Sequence, residues 1–307
     1  MNNPVNQINL AVLLGGEGAE RDVSLDSGAR VLTALQNTGI NAIAIDCPTN
    51  ELARSLHHHN IQHCFIALHG ASGENGTVQA LLDTLDISYT GSGLLGSAIA
   101  MDKIKTKLIW QSIGIPTPPF MVVEQKTLWS DVMSKVGNKV IIKPVSEGSS
   151  VGMSIVDDAD TFQKAIALAS QYNSAVIAEK WIDGAEYTIG ILAGRALPSI
   201  RLEAQGEFYD YHAKYLSDTT QYLCPSDLSK NQEIALASQS LQAFDILGCE
   251  HYGRVDFMLD ESSTPFFLEV NTLPGLTSHS LLPMAAAAEG VSFDQLVLEI
   301  LKGSLDA

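Results

Sequence analysis

The sequence predicts an α/β fold that opens with a doubly wound parallel sheet, and three observations guide this prediction. Residues 8–14 form a continuous apolar run, which is typical of a parallel strand buried on both faces. Helix-like and strand-like segments then alternate up to residue 68. Two short alternating strands at residues 253–259 and 266–271 predict a β-hairpin near the C-terminus.

Composition restricts the class of protein. The 307 residues suffice for two or three domains, and 46% apolar with 17% charged residues indicates a globular chain. A formal charge of −17 disfavours non-specific binding to nucleic acid or anionic membranes, so a phosphorylated ligand would need lysines placed locally. The four cysteines form no C-x-x-C pair, and no stretch reaches the roughly 18 apolar residues of a membrane span. We therefore expect a cytoplasmic protein with reduced thiols.

Polar residues follow two strands of the predicted N-terminal sheet. The predicted strands are residues 8–14, 41–46 and 63–68, and the helices between them end near residues 38 and 58. Ligands of such sheets collect beyond the carboxyl ends of the strands, where Glu20 and His69 lie. Glu20 could instead be an acid that favours a helix N-terminus, and His69 a structural loop histidine.

Residues 91–96 match the dinucleotide pattern G-x-G-x-x-G, which indicates an NAD-type oxidoreductase as an alternative function. The motif does not follow the first strand, and no acidic residue lies about 20 positions further on. A tight turn with close helix packing explains the glycines equally well, and we favour it.

The central part of the chain carries a candidate phosphate site. Lys103 lies on a helix that ends near residue 113, before a proline-rich linker at residues 114–119. Lys143 closes a predicted strand just before the glycine–serine loop at residues 146–152. Small residues let backbone N–H groups approach phosphates, although such a loop alone is more often a plain turn. A lysine at a buried strand end adds weight, because its charge needs a partner.

Two further segments resemble parts of a nucleotide site. The strand at residues 175–182 ends in Glu179-Lys180-Trp181, which suits either an adenine slot or an amphipathic edge strand. Glu186 starts the next strand and could accept hydrogen bonds from ribose hydroxyls. The long tyrosine-rich segment at residues 206–225 lacks periodicity and predicts a lid.

The predicted hairpin would set Asp256 opposite Glu269, and Arg254 opposite Asn271, around a turn centred between residues 262 and 263. Opposed carboxylates repel unless a cation lies between them, and all-oxygen ligands suit Mg²⁺ or Mn²⁺. The alternatives are a solvated sheet face or a carboxyl group that is held protonated. The Pro-Gly turn that follows offers backbone N–H groups to the same place and favours the metal site.

Together these features resemble the ATP-grasp enzymes and, more closely, the D-alanine–D-alanine ligase family. The resemblance runs from residue 8 to about residue 302 with the motifs in order. The matching motifs are Gly15-Gly16, Glu20 to Ser24, His69-Gly70, Glu147 to Gly152, Lys214-Tyr215, Gly253 to Asp256, and Glu269 to Gly275. The sequence departs from the family pattern beside the implied first-substrate site, where Gly18 stands in place of the frequent Ser and Asp22 in place of the more usual Glu.

The resemblance implies an α/β and α+β fold, in which a doubly wound parallel-sheet domain precedes a two-lobed ATP-grasp fold. The implied units are residues 1–102, 103–185 and 186–307, with the lid at 206–225. It also implies a homodimer and the synthesis of peptidoglycan precursors. One D-alanine carboxylate would attack the γ-phosphate of ATP, and the amine of a second D-alanine would then displace phosphate.

The resemblance also assigns roles to individual residues. The implied catalytic residues are Glu20, Ser149, Tyr215, Arg254 and Gly275, and the implied substrate-binding residues are His69, Lys214, Ser280 and Leu281. ATP would contact Lys103, Lys143, Ser150, Glu179, Lys180, Trp181, Ile182 and Glu186. Two Mg²⁺ or Mn²⁺ ions would bind Asp256, Glu269 and Asn271. Tyr215, rather than Phe, favours an amine acceptor and hence the dipeptide product.

Overall fold

The N-terminal sheet is parallel, as predicted. The computed structural model describes residues 8–18, 20–148, 150–172, 174–203 and 221–305. The strands of this sheet are β1 (Leu10–Leu13), β2 (Ala42–Ile45), β3 (His63–Ile66) and β4 (Ser88–Tyr89), in the order β2-β1-β3-β4. The helices are α1 (Arg21–Asn37), α2 (Thr49–His58), α3 (Ala71–Glu74), α4 (Thr77–Thr84) and α5 (Leu94–Met101). Strands β1 and β3 are fully buried, in keeping with their apolar sequences.

The glycine motif at residues 91–96 runs into the start of α5, and its last glycine allows close packing. A Cβ atom on Gly96 would lie 2.3 Å from the backbone oxygen of Gly248, so only glycine fits where α5 meets that segment. This confirms close packing as the reason for the glycine.

A central antiparallel sheet follows helix α6 (Lys103–Ser112). Its strands are β5 (Phe120–Val123), β6 (Val140–Pro144), β7 (Ser154–Val156) and β8 (Val176–Lys180), in the order β5-β8-β6-β7. Helices α7 (Trp129–Lys135) and α8 (Ala159–Ala169) cover it, and a 3₁₀ turn follows at Ser170–Tyr172. The glycine–serine loop connects β6 to β7, strand to strand, as predicted.

The third sheet carries the predicted hairpin. Its strands are β9 (Gly184–Leu192), β10 (Arg195–Ala196), β11 (Ile200–Glu203), β12 (Gln221–Leu223), β13 (Tyr252–Asp260) and β14 (Pro265–Asn271). The order is β12-β11-β9-β13-β14, with β10 paired to β9 and helix α9 (Lys230–Asp245) before β13. The sequence predicted a lid up to residue 225. The last part of this prediction is wrong, because Gln221–Leu223 forms a strand that pairs with β11. Residues 204–220 lie outside the described part of the chain.

The register of β13 and β14 agrees with the prediction at the candidate ligands. Arg254 pairs with Asn271, and Asp256 pairs with Glu269. Towards the turn the predicted register is wrong, because Phe257 pairs with Phe267. The pairing skips Leu268, so a β-bulge lies beside the candidate ligands.

The chain ends in two helices that return to the N-terminal sheet. Helices α10 (Leu281–Ala288) and α11 (Phe293–Gly303) share one hydrophobic core with β1 and β3. The first and last parts of the chain are therefore packed as one body. Among the described residues no single helix is long and apolar enough to cross a membrane. Helices α10 and α11 reach that length and apolar content only when taken together, and the chain bends by 106° between them.

Candidate active site

Asp256 is held by three neighbouring side chains on the hairpin face. It is buried, and Arg254 donates to both carboxylate oxygens, from Nε at 2.8 Å and Nη2 at 2.7 Å. Thr188 Oγ1 of the neighbouring strand β9 donates at 2.5 Å, and Asn271 Nδ2 donates at 2.9 Å. The solvated-face alternative is therefore wrong for Asp256.

Glu269 links this face to the glycine–serine loop through a lysine. Lys103 Nζ lies 3.2 Å from Glu269 Oε2 and donates to the backbone oxygen of Glu147 at 2.8 Å. Burial of the Glu147 side chain raises the pKa of its carboxyl group, which the positive charge of Lys103 opposes. The lysine thus joins two of the predicted sites, and its own side chain is almost fully buried.

The donor set of the hairpin fits a hard divalent ion. Asp256, Glu269 and Asn271 present two carboxylates and one amide to one place, since Asp256 lies directly opposite Glu269 and bonds Asn271. The Asn271 amide donates its N–H to Asp256, which leaves its oxygen as an acceptor. Within the described ranges no group of three His, Cys, Asp or Glu side chains could hold a metal ion. Oxygen-only ligands suit Mg²⁺ or Mn²⁺ rather than Zn²⁺.

A second ionic cluster lies at the end of β6. Lys143 Nζ donates to Glu179 Oε1 at 2.7 Å, and Lys107 Nζ lies 2.6 Å from Glu179 Oε2. Burial alone would raise the pKa of Glu179, but the two lysines outweigh it and the pKa is lowered. Burial lowers the pKa of Lys107 to about 8, against the attraction of Glu179. This cluster gives the Lys143 charge the partner that its burial requires.

The predicted adenine segment connects β8 to β9. The N–H groups of Lys180 and Trp181 already donate to the backbone oxygens of Pro119 and Lys139, at 2.8 and 3.1 Å. Lys180 itself is exposed, whereas Ile182 is buried. Because these N–H groups are already hydrogen-bonded, an adenine base would have to bind other backbone groups of this segment.

Glu186 lies on the same sheet face as the hairpin carboxylates. It is two residues before Thr188 on β9, and alternate residues of a strand share a face. Since Thr188 is paired with Asp256, the Glu186 position adjoins the candidate metal face.

The residues predicted to bind the first substrate lie close to one another beyond the N-terminal sheet. Glu20 lies between two loops: a Cβ atom on Gly70 would be 3.0 Å from Glu20 Oε2, and one on Gly148 would be 3.7 Å from Oε1. His69 is buried, with Nε2 3.2 Å from Ser27 Oγ and Nδ1 3.5 Å from Glu74 Oε1. The glycine–serine loop therefore reaches the side chain that sequence analysis placed in the other unit.

The Pro-Gly turn adjoins the N-terminus of α10. A Cβ atom on Gly275 would lie 2.7 Å from Ser280 Oγ, so the approach of this hydroxyl requires glycine. Ser280 Oγ accepts from the Thr277 N–H at 2.9 Å and is turned towards the loop rather than into its own helix. Leu281, the first residue of α10, is buried.

A chain of contacts links many of the predicted residues, from Glu269 through Lys103 to the glycine–serine loop and Glu20. Ser150 adopts a left-handed backbone conformation with φ of 59° just after the loop glycine. Ser149, Lys214 and Tyr215 lie outside the described residues. Sequence analysis missed Lys107, Thr188 and Ser27 as partners of the site. Lys107 could have been found, because it lies four residues after Lys103 and therefore on the same helix face.

Known proteins match this chain over nearly its whole length. The family model described as the D-ala D-ala ligase C-terminus matches residues 109–302, and that of the N-terminus matches residues 46–92. A D-alanine–D-alanine ligase from Nitrosospira multiformis is 50% identical over 292 residues, which are 95% of this chain and 95% of that protein. The chain belongs to the D-alanine–D-alanine ligase family.

Solved structures of the family share the fold. A D-alanine–D-alanine ligase from Bacillus anthracis, in complex with ATP, has a TM-score of 0.86 at 32% identity and covers 97% of this chain and 98% of its own. A D-Ala:D-Ser ligase from Enterococcus faecalis has a TM-score of 0.83 at 24% identity, covering 96% of this chain and 98% of its own. The predicted ATP-grasp architecture is confirmed by these neighbours.

Proposed function

We infer that this member of the D-alanine–D-alanine ligase family joins two D-alanines to D-alanyl-D-alanine, with release of ADP and phosphate, for peptidoglycan precursor synthesis. The observation that carries this inference is the position of Lys103. Its ammonium group contacts the Glu269 carboxylate of the hairpin and the Glu147 backbone oxygen of the glycine–serine loop. A lysine that binds a phosphate between a metal site and a phosphate-binding loop would need to lie at such a position.

In the first half-reaction the protein must bring two anions close together, the carboxylate of the first D-alanine and the γ-phosphate of ATP. A carboxylate oxygen of the first D-alanine bonds to the γ-phosphorus while the bond from that phosphorus to ADP breaks, giving an acyl phosphate. Lys103 and Lys143 would bind the α- and β-phosphates, and Lys214 the γ-phosphate. Such transfer depends on position and charge neutralisation more than on covalent chemistry by the protein. Glu20, with His69 nearby, would hold the ammonium group of the substrate.

A divalent ion fits beside these lysines. Asp256, Glu269 and Asn271 would hold Mg²⁺ or Mn²⁺, two ions per site, which when bound neutralise charge on the β- and γ-phosphates. Ser150, Glu186 and the segment from Glu179 to Ile182 would bind the rest of the nucleotide.

In the second half-reaction the uncharged amine of the second D-alanine attacks the acyl carbon, and phosphate leaves from the tetrahedral intermediate. Arg254 and the Gly275 N–H would stabilise the oxyanion, a contribution of about 3–4 kcal/mol per donor. Ser280 and the N-terminus at Leu281 would bind the carboxylate of the second substrate. Ser149 and Tyr215 would hydrogen-bond Glu20 to the lid.

We further propose a cytoplasmic homodimer that binds neither nucleic acid nor membrane. The acidic charge of −17 supports the last two points, because polyanions repel it. The three sheets support units at residues 1–102, 103–185 and 186–307, although β9 begins two residues before the last proposed boundary and the first and last units share a core.

A coupled ADP-release assay across D- and L-amino acids tests the function. We expect release that depends on both D-alanine and Mg²⁺, with D-alanyl-D-alanine as the product by mass spectrometry. Release with an L-amino acid but not with D-alanine would contradict the assignment. Binding of a nicotinamide cofactor without ADP release would favour the oxidoreductase alternative.

A further inference from the structure

Lys107 is a fully buried cation that the proposed reaction does not use. Its side chain has 0% exposure, and it lies on α6 one turn after Lys103. Its ammonium group contacts Glu179 Oε2 at 2.6 Å and donates to Thr117 Oγ1 at 2.9 Å. A buried charge is costly, so this lysine must be held by its partners.

The charges of the cluster explain what Lys107 adds. Glu179 carries one negative charge and bonds two lysines, one on each oxygen. With Lys107 the group has a net charge of +1 − 1 + 1 = +1, and without it the net charge is zero. Without Lys107, the Glu179 carboxylate would pair with Lys143 alone and would fully compensate the charge of Lys143. Glu269 also attracts Lys107, but it is itself paired with Lys103.

We propose that Lys107 is a positioning residue that occupies one oxygen of Glu179, so that Lys143 keeps an uncompensated positive charge for a nucleotide phosphate. This inference rests on the proposed function, in which Lys143 binds ATP. The residue touches neither substrate nor metal and acts through Glu179. The opposing view is that Lys107 only fills space between α6 and β8.

Nucleotide affinity separates the two views. We expect Lys107→Met to weaken ATP binding about tenfold, which is about 1.4 kcal/mol, measured by calorimetry with Mg²⁺ and without D-alanine. The KM for D-alanine should change less than twofold. In a chain that already carries Glu179→Gln the negative charge is gone, so adding Lys107→Met should change ATP affinity by less than about threefold relative to Glu179→Gln alone.

Lys105→Met is the matched control. It removes the same charge from the same helix, but Lys105 is exposed and pairs with Asp102 at 2.5 Å. We expect its ATP affinity to equal that of the wild type. Thermal melting of every variant shows whether it is folded. If Lys107→Met does not fold, Lys107→Gln replaces it, because glutamine keeps a hydrogen-bond donor.

The outcomes are distinct. A wild-type protein that does not bind ATP would contradict the proposed function itself. Wild-type affinity in a folded Lys107 variant would overturn the present inference alone. An equal loss of affinity from Lys107→Met with Glu179 present and with Glu179→Gln in place would show a packing role and would also overturn it.

Discussion

At the scale of single residues, the site is a balance of buried charges. Asp256 is neutralised by Arg254, and Glu269 lies beside Lys103. Each acid that would bind a divalent ion therefore already has a cation nearby. Neither of these two carboxylates is therefore an uncompensated charge in this structure.

Glu269→Gln tests the metal role. We expect the rate of ADP release to fall by about a hundredfold or more, because an amide neutralises a divalent ion poorly and several kcal/mol of charge stabilisation are lost. The melting temperature should change little, since Glu269 is only partly buried. Glu261→Gln, in the exposed turn of the same hairpin, is the control. Full activity in Glu269→Gln would remove the metal hypothesis.

At the scale of elements, helix α1 supports two parts of the substrate site at once. Ser27 is fully buried, its Oγ lies 3.2 Å from His69 Nε2, and it accepts from the Leu276 N–H at 3.2 Å. Arg30 Nε donates to the Leu276 oxygen, also at 3.2 Å. The loop that carries Gly275 is thus fixed to a helix of the N-terminal sheet.

Ser27→Ala should disturb that loop. Without the hydroxyl, the buried N–H of Leu276 loses its acceptor, which costs about 1–3 kcal/mol. We expect kcat to fall about tenfold while the affinity for ATP alone stays constant, because the nucleotide contacts lie elsewhere. Thr33→Ala, on the exposed side of α1, should leave kcat unchanged. Equal kcat in the Ser27 variant and the wild type would show that the loop holds its geometry without α1.

At the scale of the whole molecule, the two ends of the chain are joined through a buried histidine. His63 of β3 contacts Ser88 Oγ at 2.6 Å through Nδ1 and Ser304 Oγ at 3.0 Å through Nε2. Ser304 directly follows α11. Both partners are neutral, and burial lowers the pKa of His63 from 6.5 to about 4.

This histidine predicts a loss of stability in mild acid. The native state keeps His63 neutral, whereas the unfolded chain takes up a proton below pH 6.5, so stability is full above pH 6.5 and falls between pH 6.5 and about 4. Between pH 7 and pH 5 the loss is about 2 kcal/mol. Urea unfolding at the two pH values should show this loss in the wild type and in His57→Gln, which alters an exposed histidine, but much less in His63→Gln. An equal loss in all three would contradict the assignment to His63.

Local patterns determined much of the fold and part of the site. The strands predicted at residues 8–14, 41–46, 63–68, 253–259 and 266–271 end within about two residues of the observed ones, because hydrophobic period and turn residues act over short distances. Helix α4 and strands β10, β11 and β12 had no predicted counterpart. The pairing of Asp256 with Glu269 also followed from alternation about a short turn.

The rest depended on contacts between distant parts of the chain. The bulge at Leu268 follows from how β14 joins its sheet, and no local pattern marks it. Lys107 and Glu179 are 72 positions apart (179 − 107), and Ser27 and Leu276 are 249 apart. The sequence by itself determined the elements and the residue types of the site. Only the tertiary structure decided which lysines share a carboxylate and which helix holds the loop that carries Gly275, because these depend on packing between elements far apart in the chain.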